Sequence, residues 1–337
     1  MRFTKILALI LTSCILFTLS ACGQGDLPPE ESSSTPTVAQ KYYSRLTGEP
    51  LENENAKNIR PVAIMINNIS GAQKVQSGVT YADIVFETEV EGGITRMMAV
   101  FSDISKVPED IGSVRSARVV FPHIAMGLGA VYFHAGSDDE YCTPEMKNIG
   151  TNSVDINRYA KYSFRKKNGL SSEHTLYTKA ELLNKAIEDY KFATVKKTTP
   201  FANFAKDGET VTPGGSPAVK IEVPFSSSYI TKFTYDAESG KYNKQKPSGS
   251  CKESYKNIII LRTAMSHYPN GKHRLIDLTS GTGYYASNGM FQEIKWSKGD
   301  AEDAFVFTNM DDTPLTINAG SSYVGIMKDS SRPSFME

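Results

Sequence analysis

Charge of either sign is not in excess in this sequence, where 37 basic residues face 37 acidic ones over 337 positions. Holding nucleic acid by bulk electrostatics requires an excess of Lys and Arg, so that class of partner is excluded. Long apolar runs are missing as well. The run nearest the N-terminus, Ile6 to Leu19, has 14 residues, too short to span a bilayer, and no second apolar span follows. The standard chemical templates are absent too: there is no phosphate-loop pattern, no dinucleotide-type Gly-x-Gly-x-x-Gly, no His-Glu-x-x-His and no Gly-x-Ser-x-Gly. Nucleotide-driven and standard zinc-protease chemistry lose their support, and neither a cofactor nor a metal is expected. Ser163-Phe164-Arg165-Lys166 has the Ser-x-x-Lys spacing of penicillin-binding enzymes, but no Lys-Thr-Gly accompanies it.

What is present begins with an address. Arg2 and Lys5 precede the apolar run, and Leu19-Ser20-Ala21-Cys22 closes it. Basic residues, a short apolar core and small residues before a cysteine form a secretory signal, residues 1–21, that ends in a lipobox. Cys22 is then the acylated N-terminus, carrying a diacylglyceryl group and an N-acyl chain such as palmitate. More than one acyl chain gives stable membrane attachment. Losing Arg2 and Lys5 leaves 35 basic against 37 acidic residues, a net charge of −2. Residues 22–40 include Pro28, Pro29, Ser32, Ser33, Ser34 and Pro36 and have almost nothing to bury, which predicts a disordered tether. At ~5–6 Å × √n, its roughly 18 residues hold the folded part about 20–25 Å from the lipid. Cys142 and Cys251 remain for the folded part, either paired or as two free thiols.

The rest divides by pattern. Residues 41–200 predict an α/β domain with a mixed sheet, and residues 201–330 a smaller, mostly antiparallel β domain. Arg60 to Asn68 is an unbroken apolar run, the pattern of a strand covered on both faces. Ile84 to Val90 alternates and leads through Glu91-Gly92-Gly93 into Ile94 to Phe101, a hairpin. Val114 to Met126 predicts a helix capped by Ser113 and disturbed by Pro122. Ala130 to His134 returns as a strand, and Thr178-Lys179-Ala180-Glu181 predicts a capping box before a helix. Beyond residue 200 come short alternating runs with a turn signal at Asn288-Gly289.

Candidate chemistry gathers in the first region. Arg115 and Arg118, three apart on the expected helix, project to one side of its first turns. Two cations there oppose the helix dipole unless an anion lies between them, so Arg115, Ser116 and Arg118 suggest an anion site. The alternative is internal salt bridges to Glu87, Glu89 or Glu91. Glu87 and Glu89 share a strand face about 6.5–7 Å apart, compatible with acid–base work on a glycan, although such a face is commonly just solvated. Arg96 on the partner strand is the expected counterion of one of them. His134 ends a strand at a Gly-Ser-Asp loop, where ligands bind in α/β folds, and His174 precedes the second helix. His123, His267 and His273 lack metal-ligand spacing, and Trp296 reads as core or, alternatively, as a ring that stacks on a sugar.

Leu46-Thr47-Gly48, Arg60 to Asn68, Ala82 to Glu87, Glu91 to Arg96, Arg115-Ser116-Ala117-Arg118 and the segment at His134 together resemble the YerB-type bacterial lipoproteins. Gly281-Thr282-Gly283, Asn288-Gly289 and Trp296-Ser297-Lys298 are similar to that family's separate C-terminal domain. The resemblance spans residues 44–328. It implies a lipid-anchored extracytoplasmic protein of two domains, α/β then β, of a kind found mainly in Gram-positive bacteria. It implies no reaction, and no catalytic residue carries over. Glu173-His174-Thr175-Leu176 departs from the family's Pro-His-Asn-Leu, which weakens a role for Thr175 but not for His174.

The leading expectation is therefore a lipoprotein on the outer face of the cytoplasmic membrane that binds an anionic envelope ligand, such as peptidoglycan fragments or a phosphate-bearing wall polymer. Arg96, Arg115, Ser116, Arg118, His134 and His174 are its candidate binding residues. The alternatives are a cell-wall glycan hydrolase or transferase using Glu87 or Glu91, and a structural partner of envelope machinery.

Overall fold

Branched apolar runs become the centre of one large mixed sheet, because a strand with two apolar faces needs cover on both. The computed structural model describes residues 40–337, so the expected signal peptide, Cys22 and nearly all of the tether lie outside the described residues. The N-terminal region supplies β1 (Val62–Asn67), β2 (Ile84–Glu89), β3 (Thr95–Phe101), β4 (Val131–His134) and β5 (Ser153–Asp155). Its main helices are α1 (Val120–Gly127), α2 (Cys142–Asn148) and α3 (Ala180–Asp189). The C-terminal region supplies β6 (Lys220–Pro224), β7 (Ile230–Asp236), β8 (Lys241–Lys244), β9 (Asn257–Thr263), β10 (Ser280–Ser287), β11 (Met290–Ser297) and β12 (Ser322–Lys328).

The fold class is as expected: a mixed sheet with few helices, then mostly antiparallel strands. Hydrogen bonding nevertheless runs straight through the two regions. The long strands of an 11-stranded sheet lie in the order β11-β10-β9-β12-β2-β3-β1-β4-β5. β12 is inserted between β9 and β2 and is parallel to both, with Val324 opposite Ile259 on one side and Phe86 on the other. A five-stranded antiparallel sheet containing β6, β7 and β8 covers one face, where Ile221, Val223, Phe233 and Tyr242 pack with Val85 and Met97. Phe121 and Ile124 of α1 cover the other face, against Ala63, Met65 and Phe86. Each such fully buried side chain contributes roughly 1.5–3 kcal/mol.

Three local expectations need correcting. The expected β2–β3 hairpin forms, with Ile84 opposite Val100 and Glu89 opposite Thr95, but every residue of β2 is buried, so its glutamates are not a solvated face. Central position in the sheet overrides the alternation. Arg115 and Arg118 are not helical. Their segment is extended because Arg115 N–H donates to Met65 O (3.1 Å) and Ala117 N–H to Gly136 O (2.9 Å), and α1 starts only at Val120. Pro122 thus falls in the first turn, where its missing N–H costs nothing. The capping box at Thr178 does not form either. Thr178 closes a strand and donates its hydroxyl to Tyr162 O (2.8 Å), and α3 begins after Lys179 without a side-chain cap. Asn288 and Gly289 both take positive φ, at 52° and 74°, and join β10 to β11 in the expected tight turn. Trp296 is core, and Cys142 and Cys251 are free thiols.

Candidate polar cleft at the strand ends

The parallel strands β1, β4 and β5 end side by side at Asn67, His134 and Asp155, and the extended segment from Val114 to Ala117 is laced onto their carboxyl ends. This edge is where open α/β sheets hold ligands. It gathers most of the candidate binding residues, but it divides them into two groups.

The guanidinium group is largely satisfied from within. Arg118 forks onto Glu91, with Nε 2.7 Å from Oε2 and the second arm on Oε1. Arg96 reaches the same carboxylate at 3.2 Å and donates to Ser116 O at 2.8 Å. Burial works against ionisation of Glu91, but the Arg118 hydrogen bonds and the two guanidinium charges outweigh it and hold the carboxyl down at about 2. Burial, helped by the neighbouring Arg118 charge, lowers Arg96 to about 10, still far above neutral pH. The expected counterion of Arg96 was Glu87 or Glu89. The register sets Arg96 opposite Thr88 instead, and its counterion is Glu91 at the turn. Arg115 pairs with Glu173 (2.8 Å), which also contacts His174 Nε2 (3.2 Å), and His174 Nδ1 lies 2.7 Å from Asn67 Nδ2. The charge of Arg115, ahead of burial, lowers Glu173. Three arginines thus face two carboxylates.

His134 belongs to a separate, open cleft. Burial lowers its pKa below 6.5 despite the Gly136 carbonyl and Asp155, so the ring is neutral at pH 7. Its Nδ1 is 2.9 Å from Gly136 O. A carbonyl can only accept, so Nδ1 carries the proton and Nε2 keeps its lone pair without a protein partner among the described residues. A cavity of about 280 Å³ adjoins it, lined also by Ser137, Thr143, Lys147, Arg158, Tyr159 and Tyr190. Asp155 fixes the wall by accepting from Gly136 N (2.8 Å) and Arg158 Nε (2.9 Å). That leaves the other guanidinium nitrogens of Arg158, and Lys147, without a partner among the described residues. Arg96, Arg115 and Arg118 do not line this cleft. By holding Ser116 and its neighbours they position the loop that bounds it.

Glu87 lies in neither group. It is 0% exposed, and its Oε1 accepts from Asn68, Thr95 and Thr231 while its Oε2 accepts from Lys244 and Tyr323, all within 3.0 Å. Lys246, Glu253 and Tyr255 extend this network between the two sheets. Glu89 is taken by Arg274.

Sequence reasoning missed Lys147, Arg158, Tyr159 and Tyr190. The available signal was Asp155 and Arg158, three apart just after a strand, followed at once by an aromatic residue.

Two models of one family, described as protein of unknown function (DUF3048), match the chain: the N-terminal domain over residues 46–193 and the C-terminal domain over residues 221–324. A Bacillus subtilis (strain 168) protein named "Putative lipoprotein YerB" is 25% identical over 329 residues, which cover 94% of this chain and 93% of the relative. The crystal structure of the YerB protein from Bacillus subtilis superposes with a TM-score of 0.76 at 24% identity, covering 88% of this chain and 100% of that one, a likeness of fold. With both domain models matched in order, the chain belongs to the DUF3048 family, and its resemblance to YerB-type lipoproteins is borne out.

Proposed function

We propose that this protein is a lipid-anchored envelope protein that binds an anionic wall glycan in the cleft beside His134. The observation that carries the reading is the set of groups that line one cleft: a neutral imidazole acceptor, the free arm of Arg158, the ammonium of Lys147, and the partly exposed rings of Tyr159 and Tyr190. Sugars offer hydroxyls to an acceptor and ring faces to tyrosines, and a carboxylate or phosphate on the glycan would meet the two cations. Anchoring through Cys22 is supported by the lipobox and by the relative's name. It would hold the cleft at the outer face of the cytoplasmic membrane, against the wall.

Acid–base hydrolysis by the two candidate glutamates is less well supported. Glu91, held at about 2, has no proton to give at neutral pH, and Glu87 is closed to substrate by its five donors. Titration calorimetry of the full chain in detergent, with muropeptides and with teichoic-acid fragments, tests the reading. Saturable binding that Arg158→Ala weakens at least tenfold is expected; equal affinity in the parent and in both Arg158→Ala and Lys147→Ala would place the ligand elsewhere.

A further inference from the structure

A second cavity shares no lining residue with the cleft at His134. It measures about 760 Å³, within the roughly 300–1,000 Å³ of small-molecule sites. Its walls come mainly from three stretches, Lys41 to Gly48, Thr199 to Asp207 and Phe305 to Phe307, with Lys57 and Pro314 added. The floor is apolar. Phe204, Phe305 and Phe307 contribute rings, with Phe305 and Phe307 stacked at 5.9 Å. Phe204 lies directly on Gly48, which has φ +69° and where a Cβ would sit 2.4 Å from the ring, so only glycine allows this wall to close.

The charged part of the lining is basic. Lys41, Arg45, Lys57 and Lys206 line the cavity with one carboxylate, Asp207, which is taken by Lys41 at 2.7 Å. Arg45 is held in place by neutral acceptors, Thr198 O (2.6 Å) and Asn58 Oδ1 (2.9 Å). Among the described residues, Arg45, Lys57 and Lys206 have no acidic partner. Val306, 55% exposed, adds an apolar lip.

We infer that this cavity binds an anionic glycerophospholipid, with the phosphate among Arg45, Lys57 and Lys206 and the first part of an acyl chain over the phenylalanine floor. The two halves of the site select the class together. A neutral lipid would leave three cations unanswered, and a sugar phosphate would leave the aromatic floor wet. The supply of lipid rests on the anchoring in the proposed function. Lys41, which lines the cavity, is 19 residues beyond Cys22, a stretch that can span at most about 60–70 Å. The leaflet that carries the anchor is then within reach of the cavity. The chemistry of the cavity does not depend on that anchoring or on the glycan cleft.

The test uses the full chain carrying Cys22→Ser, so that acylation contributes nothing. Binding is measured by calorimetry with monomeric dihexanoyl-phosphatidylglycerol, dihexanoyl-phosphatidylcholine and glycerol phosphate, and by co-sedimentation with vesicles of the two long-chain lipids. The expected result is a preference of at least fivefold for the phosphatidylglycerol form over each of the other two ligands. Lys57→Glu with Lys206→Glu should remove the preference for charge, and Val306→Asn should weaken the lipid but not glycerol phosphate. Lys206 and Val306 are exposed and Lys57 is half-buried, and circular dichroism verifies the folding of each variant. Equal binding of the two short-chain lipids, equal binding of glycerol phosphate, or full retention in the double variant would each overturn the inference. Loss of muropeptide binding in the parent leaves these readouts untouched, so the two proposals fail separately.

Discussion

Glu87 Oε2 lies 3.0 Å from Lys244 Nζ, and neither side chain is open to water. The pair ties β2, in the centre of the large sheet, to β8 of the covering sheet. Burial works against the Lys244 ammonium, but Glu87 and Glu253 outweigh it and raise its pKa. A polar group that looked like the solvated side of a strand is thus an internal fastening.

Removing one partner should cost more than removing both. Lys244→Met strands a buried carboxylate, and a loss of about 3–5 kcal/mol is expected, while Glu87→Gln with Lys244→Met should recover most of it. Urea unfolding followed by circular dichroism measures both. A single variant within 1 kcal/mol of the parent would contradict the geometry.

Acid should release the Glu91 fork. The carboxyl is at about 2 in the fold and at 4.5 as an ordinary glutamate, so its contribution is complete above pH 4.5 and is lost as pH falls toward 2. The contribution is about 1–3 kcal/mol, discounted because the carboxylate is partly open to water. Denaturation midpoints at pH 6 and pH 3 should differ less in Arg118→Gln than in the parent; parallel profiles would argue against the fork.

His134 should titrate below 6.5, since burial favours the neutral ring. Its contribution to stability is complete above pH 6.5 and falls as the ring is forced to protonate at lower pH. Ring-nitrogen NMR, assigned by comparison with His134→Gln, reads both this midpoint and the Nδ1–H tautomer. A midpoint above 6.5 would mean that Asp155 outweighs burial, contrary to this account.

The tyrosines at the cleft should matter for ligand and little for folding. Tyr159 and Tyr190 are 39% and 38% exposed, and replacing either with Ala should reduce glycan affinity about 3–10-fold. Unfolding midpoints should shift little by comparison.

Much of the fold could be read from local pattern. The double-sided apolar strand at Val62–Asn67, the β2–β3 hairpin and the Asn288-Gly289 turn depend on neighbours close in sequence. The insertion of β12 beside β2 does not, because it pairs residues near 324 with residues near 86 and leaves no periodic trace. The same long reach hid Lys244 from Glu87, and Glu173 from Arg115. His134 was legible as a strand-end residue. Arg115 and Arg118 were misassigned because Ser113 and the apolar stretch after it read as a helix start, whereas backbone bonds to Met65 and Gly136 hold that segment extended. Pro122 marked the true beginning of α1.

The central claim is that an anionic glycan is held beside His134. A crystal structure of the chain with a bound muropeptide tests it most directly. The account predicts the ligand's acidic group within hydrogen-bond distance of Arg158 or Lys147 and a sugar hydroxyl at His134 Nε2. A ligand seated on the Arg96–Arg118–Glu91 cluster, or anywhere outside this cleft, would contradict it.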